Sequence, residues 1–173
     1  PNDQLAAKLH TRPYPRPGDK FNRHEIHVVD MQTKKALKAD IERVDYGGVP
    51  RMRWSKDNKT FTFEKVDRGH QRFRVVEVEV RTGKTRNIID EKTDTFIWTA
   101  HTETLDLDRI NWLPASDEAI YVSERDGWRD LYLLNTADGG TKNQITQGEY
   151  VVRGIDRIDE DKRQIWFHAS GKN

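Results

Sequence analysis

Arg51-Met52-Arg53-Trp54-Ser55-Lys56-Asp57-Asn58-Lys59-Thr60-Phe61-Thr62-Phe63-Glu64-Lys65-Val66-Asp67-Arg68-Gly69 is followed, further along the chain, by a second stretch that follows its pattern. Setting Trp54 on Trp112 brings Phe63 onto Tyr121, Gly69 onto Gly127 and Val75 onto Leu133 without a gap. The offset is 58 residues, from 54 to 112. The stretch 92–106 departs from the pattern and reads as an insertion of 15 residues. The 58-residue offset less these 15 leaves a repeat of 43. A propeller blade takes about 40–50 residues.

Each copy divides into four short strands. In the first they are Arg51–Trp54, Thr60–Val66, Arg72–Arg81 and Thr85–Ile89. In the second they are Arg109–Leu113, Ala119–Ser123, Asp130–Asn135 and Asn143–Thr146. Polar segments with Gly, Asn or Asp separate them, which is turn chemistry. In Arg72–Arg81 the apolar positions run Phe73, Val75, Val76, Val78, Val80, so a bulge or burial on both faces is expected. Two strands precede the first copy (Glu25–Met31, Leu37–Val44) and two follow the second (Val151–Ile158, Gln164–Ala169). The Pro-rich run from Arg12 to Gly18 is an extended entry to the first of these. Helical periodicity is absent outside the first ten residues. The expected fold is all-β: a partial β-propeller of four-stranded antiparallel blades, two complete and two partial. The expected divisions are a half blade at 24–45, a blade at 51–91, the insertion at 92–106, a blade at 107–147 and a half blade at 150–173. Propellers close with about 4–8 blades, so this chain is expected to be an excised part of a ring.

Composition removes several classes of function. Thirty Lys and Arg face 29 Asp and Glu, for a net charge of +1. Such a balance creates no field that attracts a polyanion, so nucleic acid is not an expected partner. No cysteine is present, which excludes a disulfide framework, a thiol nucleophile and a thiolate zinc site. No apolar run reaches the roughly 18–20 residues that span a bilayer as a helix. None of this decides the compartment.

Few residues offer chemistry. Ser123 and Ser170 stand outside any Gly-x-Ser-x-Gly elbow, so they read as strand or turn hydroxyls. His24 and His27 would point to opposite faces of a strand and could not share a metal. His101 with Glu103, and Asp106 with Asp108, each share a face but give too few ligands for a metal centre. No cofactor and no metal are expected. Trp54, Phe63, Trp112, Tyr121 and Trp166 recur at blade positions and read as packing between blades. Trp98, in the insertion, and Trp128, after a turn, are candidates for a rim. Asp67-Arg68-Gly69 and Arg125-Asp126-Gly127 are assigned to turns.

Three separated motifs carry a resemblance to a known family. Tyr14-Pro15-Arg16-Pro17-Gly18-Asp19 resembles the Tyr-Pro-(Arg/Lys)-x-Gly segment of the dipeptidyl peptidase IV family. Ser123-Glu124-Arg125-Asp126-Gly127-Trp128-Arg129-Asp130-Leu131-Tyr132 resembles a Ser-Glu-Arg-Asp-Gly-Trp-x-His-Leu-Tyr blade motif of its bacterial members, with Asp130 in place of His. Ile145-Thr146-Gln147-Gly148-Glu149-Tyr150-Val151-Val152 resembles their Leu-Thr-x-Gly-x-Trp-x-Val. The family belongs to the prolyl oligopeptidase clan of serine peptidases, which join a propeller to an α/β-hydrolase domain. Its members remove N-terminal dipeptides, mainly X-Pro or X-Ala. The resemblance implies that this chain is the second half of the propeller. It further implies that no residue here is catalytic, because the Ser, Asp and His belong to the hydrolase domain. The implied partners are that domain and a peptide substrate. The family's pocket arginine near the insertion has no motif match here, although Arg109 is the nearest arginine. Candidate pocket or rim residues are therefore Trp98, His101, Arg109 and Trp128. A non-catalytic interaction scaffold, and a sugar or metal sensor at Trp98–Asp108, are the rival readings. Unpaired strand edges at the two half blades are expected to permit self-association. The resemblance is compatible with a periplasmic, secreted or membrane-anchored parent.

Overall fold

A computed structural model describes residues 9–14, 16, 18–45, 48–98 and 108–171. Expectations for residues 1–8, for Tyr46 and Gly47, and for His101 and Glu103 lie outside the described residues. Within them the chain is all β, with twelve strands in four antiparallel sheets and no helix. The first sheet pairs β1 (His27–Val29) with β2 (Ala36–Lys38), extended by a bridge between His24 and Val44. The second is a meander of β3 (Arg53–Trp54), β4 (Thr60–Val66), β5 (Arg72–Glu79) and β6 (Thr85–Lys92). The third repeats that order in β7 (Ile110–Leu113), β8 (Glu118–Ser123), β9 (Asp130–Asn135) and β10 (Thr141–Gln144). The fourth pairs β11 (Tyr150–Asp159) with β12 (Gln164–Gly171). Two complete four-stranded sheets flanked by two hairpins make this a partial propeller.

Alternation along the strands builds the cores. Residues on one face of a sheet pack back on the preceding sheet, and those on the other pack forward on the next. Phe61, Phe63, Val76 and Val78 close on Ile26, Ala39 and Val44 of the first hairpin. Phe73, Val75, Ile88 and Ile89 close on Ala119, Tyr121, Tyr132 and Leu134 of the third sheet. Ile120, Val122, Leu131 and Leu133 close on Val152 of the fourth. β5 is therefore buried on both faces. The register also slips opposite Val75 and Val76, where Ile88 is the extra residue, so the bulge lies on β6.

The register refines the repeat. Trp54 faces Phe61 and Trp112 faces Ala119, so the 58-residue offset (54 to 112, 61 to 119) holds through the first hairpin. Phe63 then faces Val76, whereas Tyr121 faces Tyr132. The second hairpin thus runs at an offset of 56 (76 to 132), and the counterpart of Val75 is Leu131 rather than Leu133. A shift of two preserves every face, which is why the gapless alignment still places apolar on apolar. In the turns, His70 N–H donates to Asp67 O (3.0 Å) and Gly127 N–H donates to Glu124 O (3.0 Å). Gly127 therefore takes the place of His70, not of Gly69. Both have positive φ, +59° and +97°.

Candidate functional site

The outer strand β6 ends at Lys92, and the chain turns back over the β4–β5 loop. Thr93 N–H donates to Gln71 O (3.0 Å), and Ile97 N–H donates to His70 O (2.6 Å). Gln71 Nε2 donates to Asp94 O (2.9 Å), and the rings of His70 and Phe96 stack at 5.0 Å. Ile97 is buried in the core between the two complete sheets. With Ile97 fixed, the next residue, Trp98, is carried to the mouth of the seam between those sheets.

There a cleft of about 510 Å³ opens, lined by residues from the end of β6, segment 93–98, Arg109 just before β7, Val122 of β8 and the β8–β9 loop. Its charged lining consists of Lys92, Arg109, Arg125 and Arg129 against Glu91 and Glu124. Arg129 lies with its guanidinium carbon 4.1 Å from the centroid of the Trp98 ring, and its Nη2 donates to Glu124 Oε1 (2.8 Å). Arg109 donates to the Trp98 carbonyl and lies 5.0 Å over the Phe73 ring. Arg125 covers the Tyr132 ring at 4.4 Å and donates to Ser123 Oγ (3.1 Å). Trp98, Phe96 and Ile97 supply an apolar wall.

Burial sets the electrostatics. It lowers the Arg109 pKa from its usual value, against the raising influence of Tyr121, Glu91, Glu124 and Glu64. Burial likewise raises the Tyr121 phenol, helped by Glu91, and raises the Tyr132 phenol, helped by Asp126. Four buried polar atoms at this seam make no hydrogen bond of ordinary geometry: Arg109 Nε, Arg129 Nη1, and the hydroxyls of Tyr121 and Tyr132, which stand near Glu91 and Asp126. The Arg129 side chain is only 7% exposed.

Of the residues proposed from sequence, Trp98 and Arg109 come together in this cleft. Trp128 is 41% exposed and lies outside its lining. His101 lies outside the described residues. Sequence reasoning missed Glu91, Glu124, Arg125 and Arg129 as site residues. By sequence Arg125 reads as a turn residue and Arg129 only as part of a motif. Ser123 is buried, with its hydroxyl donating to Glu91 Oε2 (2.6 Å) and accepting from the main-chain N–H (3.2 Å) and Nε of Arg125. This ties β8 to β6 across the seam, as expected of a structural hydroxyl. Asp130, which replaces the motif histidine, is buried and accepts from Thr146 Oγ1 (2.6 Å). Thr146 in turn accepts from Leu131 N–H (3.0 Å), so the pair anchors β9 rather than the cleft. No group of three or more metal-ligating side chains occurs among the described residues.

Comparison with known proteins agrees with this architecture along its length. The sequence profile described as Dipeptidyl peptidase IV (DPP IV) N-terminal region matches residues 2–173. Dipeptidyl peptidase 4 of Trichophyton rubrum is 26% identical over 116 residues, which cover 67% of this chain and 14% of that protein. Dipeptidyl peptidase 4 of Arthroderma otae is 22% identical over 176 residues, covering 98% of this chain and 22% of its own length. In structure, dipeptidyl peptidase 4 of Porphyromonas gingivalis superposes on 97% of this chain with a TM-score of 0.75 at 18% identity, using 23% of its own chain. The chain thus spans about a fifth or less of the curated relatives it matches. On a match that runs from residue 2 to residue 173, the chain belongs to the dipeptidyl peptidase IV N-terminal region family.

Proposed function

We propose that this chain is a non-catalytic part of a dipeptidyl peptidase IV-like serine exopeptidase that removes N-terminal X-Pro or X-Ala dipeptides. The observation that carries this reading is the family match over residues 2–173, on a partial propeller with two complete four-stranded sheets. In the whole protein the blades would wall the cavity around an active site supplied by an α/β-hydrolase domain. A wall of that kind admits unfolded peptides and excludes folded proteins by size. Trp98 and Arg109 would stand at its rim, in the cleft between the complete blades. In this reading Ser123, whose hydroxyl donates to Glu91, would be a structural residue. The open edges of β1 and β12 would also allow two copies of the isolated chain to pair, which light scattering over a concentration series checks.

The test is hydrolysis of a Gly-Pro chromogenic amide by the full-length protein and by the chain alone. The full-length protein should release the chromophore and lose that activity to a serine-directed inhibitor, while the chain alone stays silent. A full-length protein that folds and releases nothing would favour a non-catalytic interaction scaffold instead.

A further inference from the structure

We infer that the cleft between the complete blades is a carboxylate-binding site, with Arg129 and Arg109 as its anion-holding residues. The inference needs only the cleft and does not rest on peptidase activity in the whole protein. A guanidinium has five N–H donors, and each one buried without a partner is costly. Arg129 uses Nε and Nη2 on Glu124 and leaves Nη1 buried and unpartnered. Arg109 uses Nη2 on the Trp98 carbonyl and leaves Nε likewise. Both arginines line the one cavity. Both nitrogens are closed to solvent, so a carboxylate entering the cleft would pair with them through a small shift of the two guanidinium planes, one against Trp98 and one against Phe73.

The charge balance sets the ligand class. Lys92, Arg109, Arg125 and Arg129 exceed Glu91 and Glu124 by two charges, an excess that favours an anion. The two resident carboxylates oppose a highly charged polyphosphate. The apolar wall of Phe96, Ile97 and Trp98 and the volume of about 510 Å³ suit an organic carboxylate larger than an ion, the size of one or two amino-acid residues. The shared chemistry is a peptide carboxylate, which a side chain or a C-terminus could supply.

The experiment titrates the 173-residue chain with three tripeptides, by calorimetry and by tryptophan fluorescence. Acetyl-Ala-Glu-Ala-amide carries only a side-chain carboxylate, acetyl-Ala-Ala-Ala only a terminal one, and acetyl-Ala-Gln-Ala-amide neither. At least one carboxylate peptide should bind and quench fluorescence, and which one does so identifies the source. The glutamine peptide should bind at least about tenfold more weakly, as loss of a charge-assisted pair implies. Arg129→Gln should weaken binding by about tenfold or more. Glu124→Gln should tighten it severalfold, because it removes the carboxylate that competes for Arg129. That gain keeps the test decisive even if Arg129→Gln fails to fold. Equal binding of all three peptides, no binding by a chain with a cooperative unfolding transition, or unchanged affinity in Glu124→Gln would each overturn the inference.

Discussion

The ring of Phe73 in β5 lies on the ring of Tyr121 in β8, with centroids 5.9 Å apart and planes 13° from parallel. One residue comes from each complete blade, and both are fully buried. Their contact lies in the apolar core that joins the blades.

Truncating that contact should be costly. Phe73→Ala should lower the unfolding free energy by about 3–5 kcal/mol, measured by urea denaturation. Tyr121→Phe should behave differently. The Tyr121 hydroxyl is buried near Glu91 but makes no hydrogen bond of ordinary geometry, so its removal should change stability by less than about 1 kcal/mol or raise it. A loss as large as that of Phe73→Ala would show that the hydroxyl is bonded in solution.

The strands facing this seam were legible in the sequence to different degrees. The sequence predicts Asp130–Asn135 with the bounds it has, because apolar residues crowd between turn residues at both ends. The sequence pattern carries β6 only as far as Ile89, yet the strand runs on to Lys92. Its last residues, Asp90, Glu91 and Lys92, look like a loop by type. They pair because Arg72 of β5 grips Asp90 through two bonds of 2.7 Å, a long-range partner that local pattern does not reveal. The cleft was less legible still. Trp98 and Arg109 stood out by type and place, whereas Glu91, Glu124, Arg125 and Arg129 converge only once the two blades are stacked.

Gly139 and Gly83 make the same contact in successive blades. Each has positive φ, +79° and +71°, and each presses on the backbone of the preceding blade's outer strand. A Cβ on Gly139 would stand 2.1 Å from Ile88 O, and one on Gly83 would stand 2.7 Å from Lys38 O. Gly127 also has positive φ, but a Cβ there would meet nothing within 4 Å. Gly139→Ala and Gly83→Ala should therefore each cost clearly more than Gly127→Ala, which should lose only about 1 kcal/mol of backbone strain. Thermal melts of the three alanine variants provide the comparison. Equal losses would mean that the blades do not approach closely at these turns.

Acid should loosen the joint between the second complete blade and the last hairpin. Glu118 accepts from Arg163 of that hairpin and from Lys142 Nζ (2.6 Å). Hydrogen bonds from Arg163, Lys142 and Ser116 lower its pKa from 4.5 to about 2, against the opposing effect of burial. Because the folded value is the lower one, the stabilisation is complete above about 4.5 and is lost as pH falls through about 2. The half-exposed cations are screened by solvent, so its size should be roughly 1 kcal/mol. Glu118→Gln should flatten the stability profile over that window, read by denaturation at a series of pH values.

Ser123→Ala in the full-length protein should leave peptide hydrolysis intact while lowering stability by about 1–3 kcal/mol, because it removes the bond to Glu91 across the seam. A folded Ser123→Ala protein without turnover would instead make this hydroxyl part of the chemistry.

The most direct test of the whole account is the rate of dipeptide release from a Gly-Pro amide, measured side by side for the full-length protein and for residues 1–173. The account predicts inhibitor-sensitive turnover in the former and none in the latter. Turnover by the isolated chain, abolished by a serine-directed reagent, would contradict it.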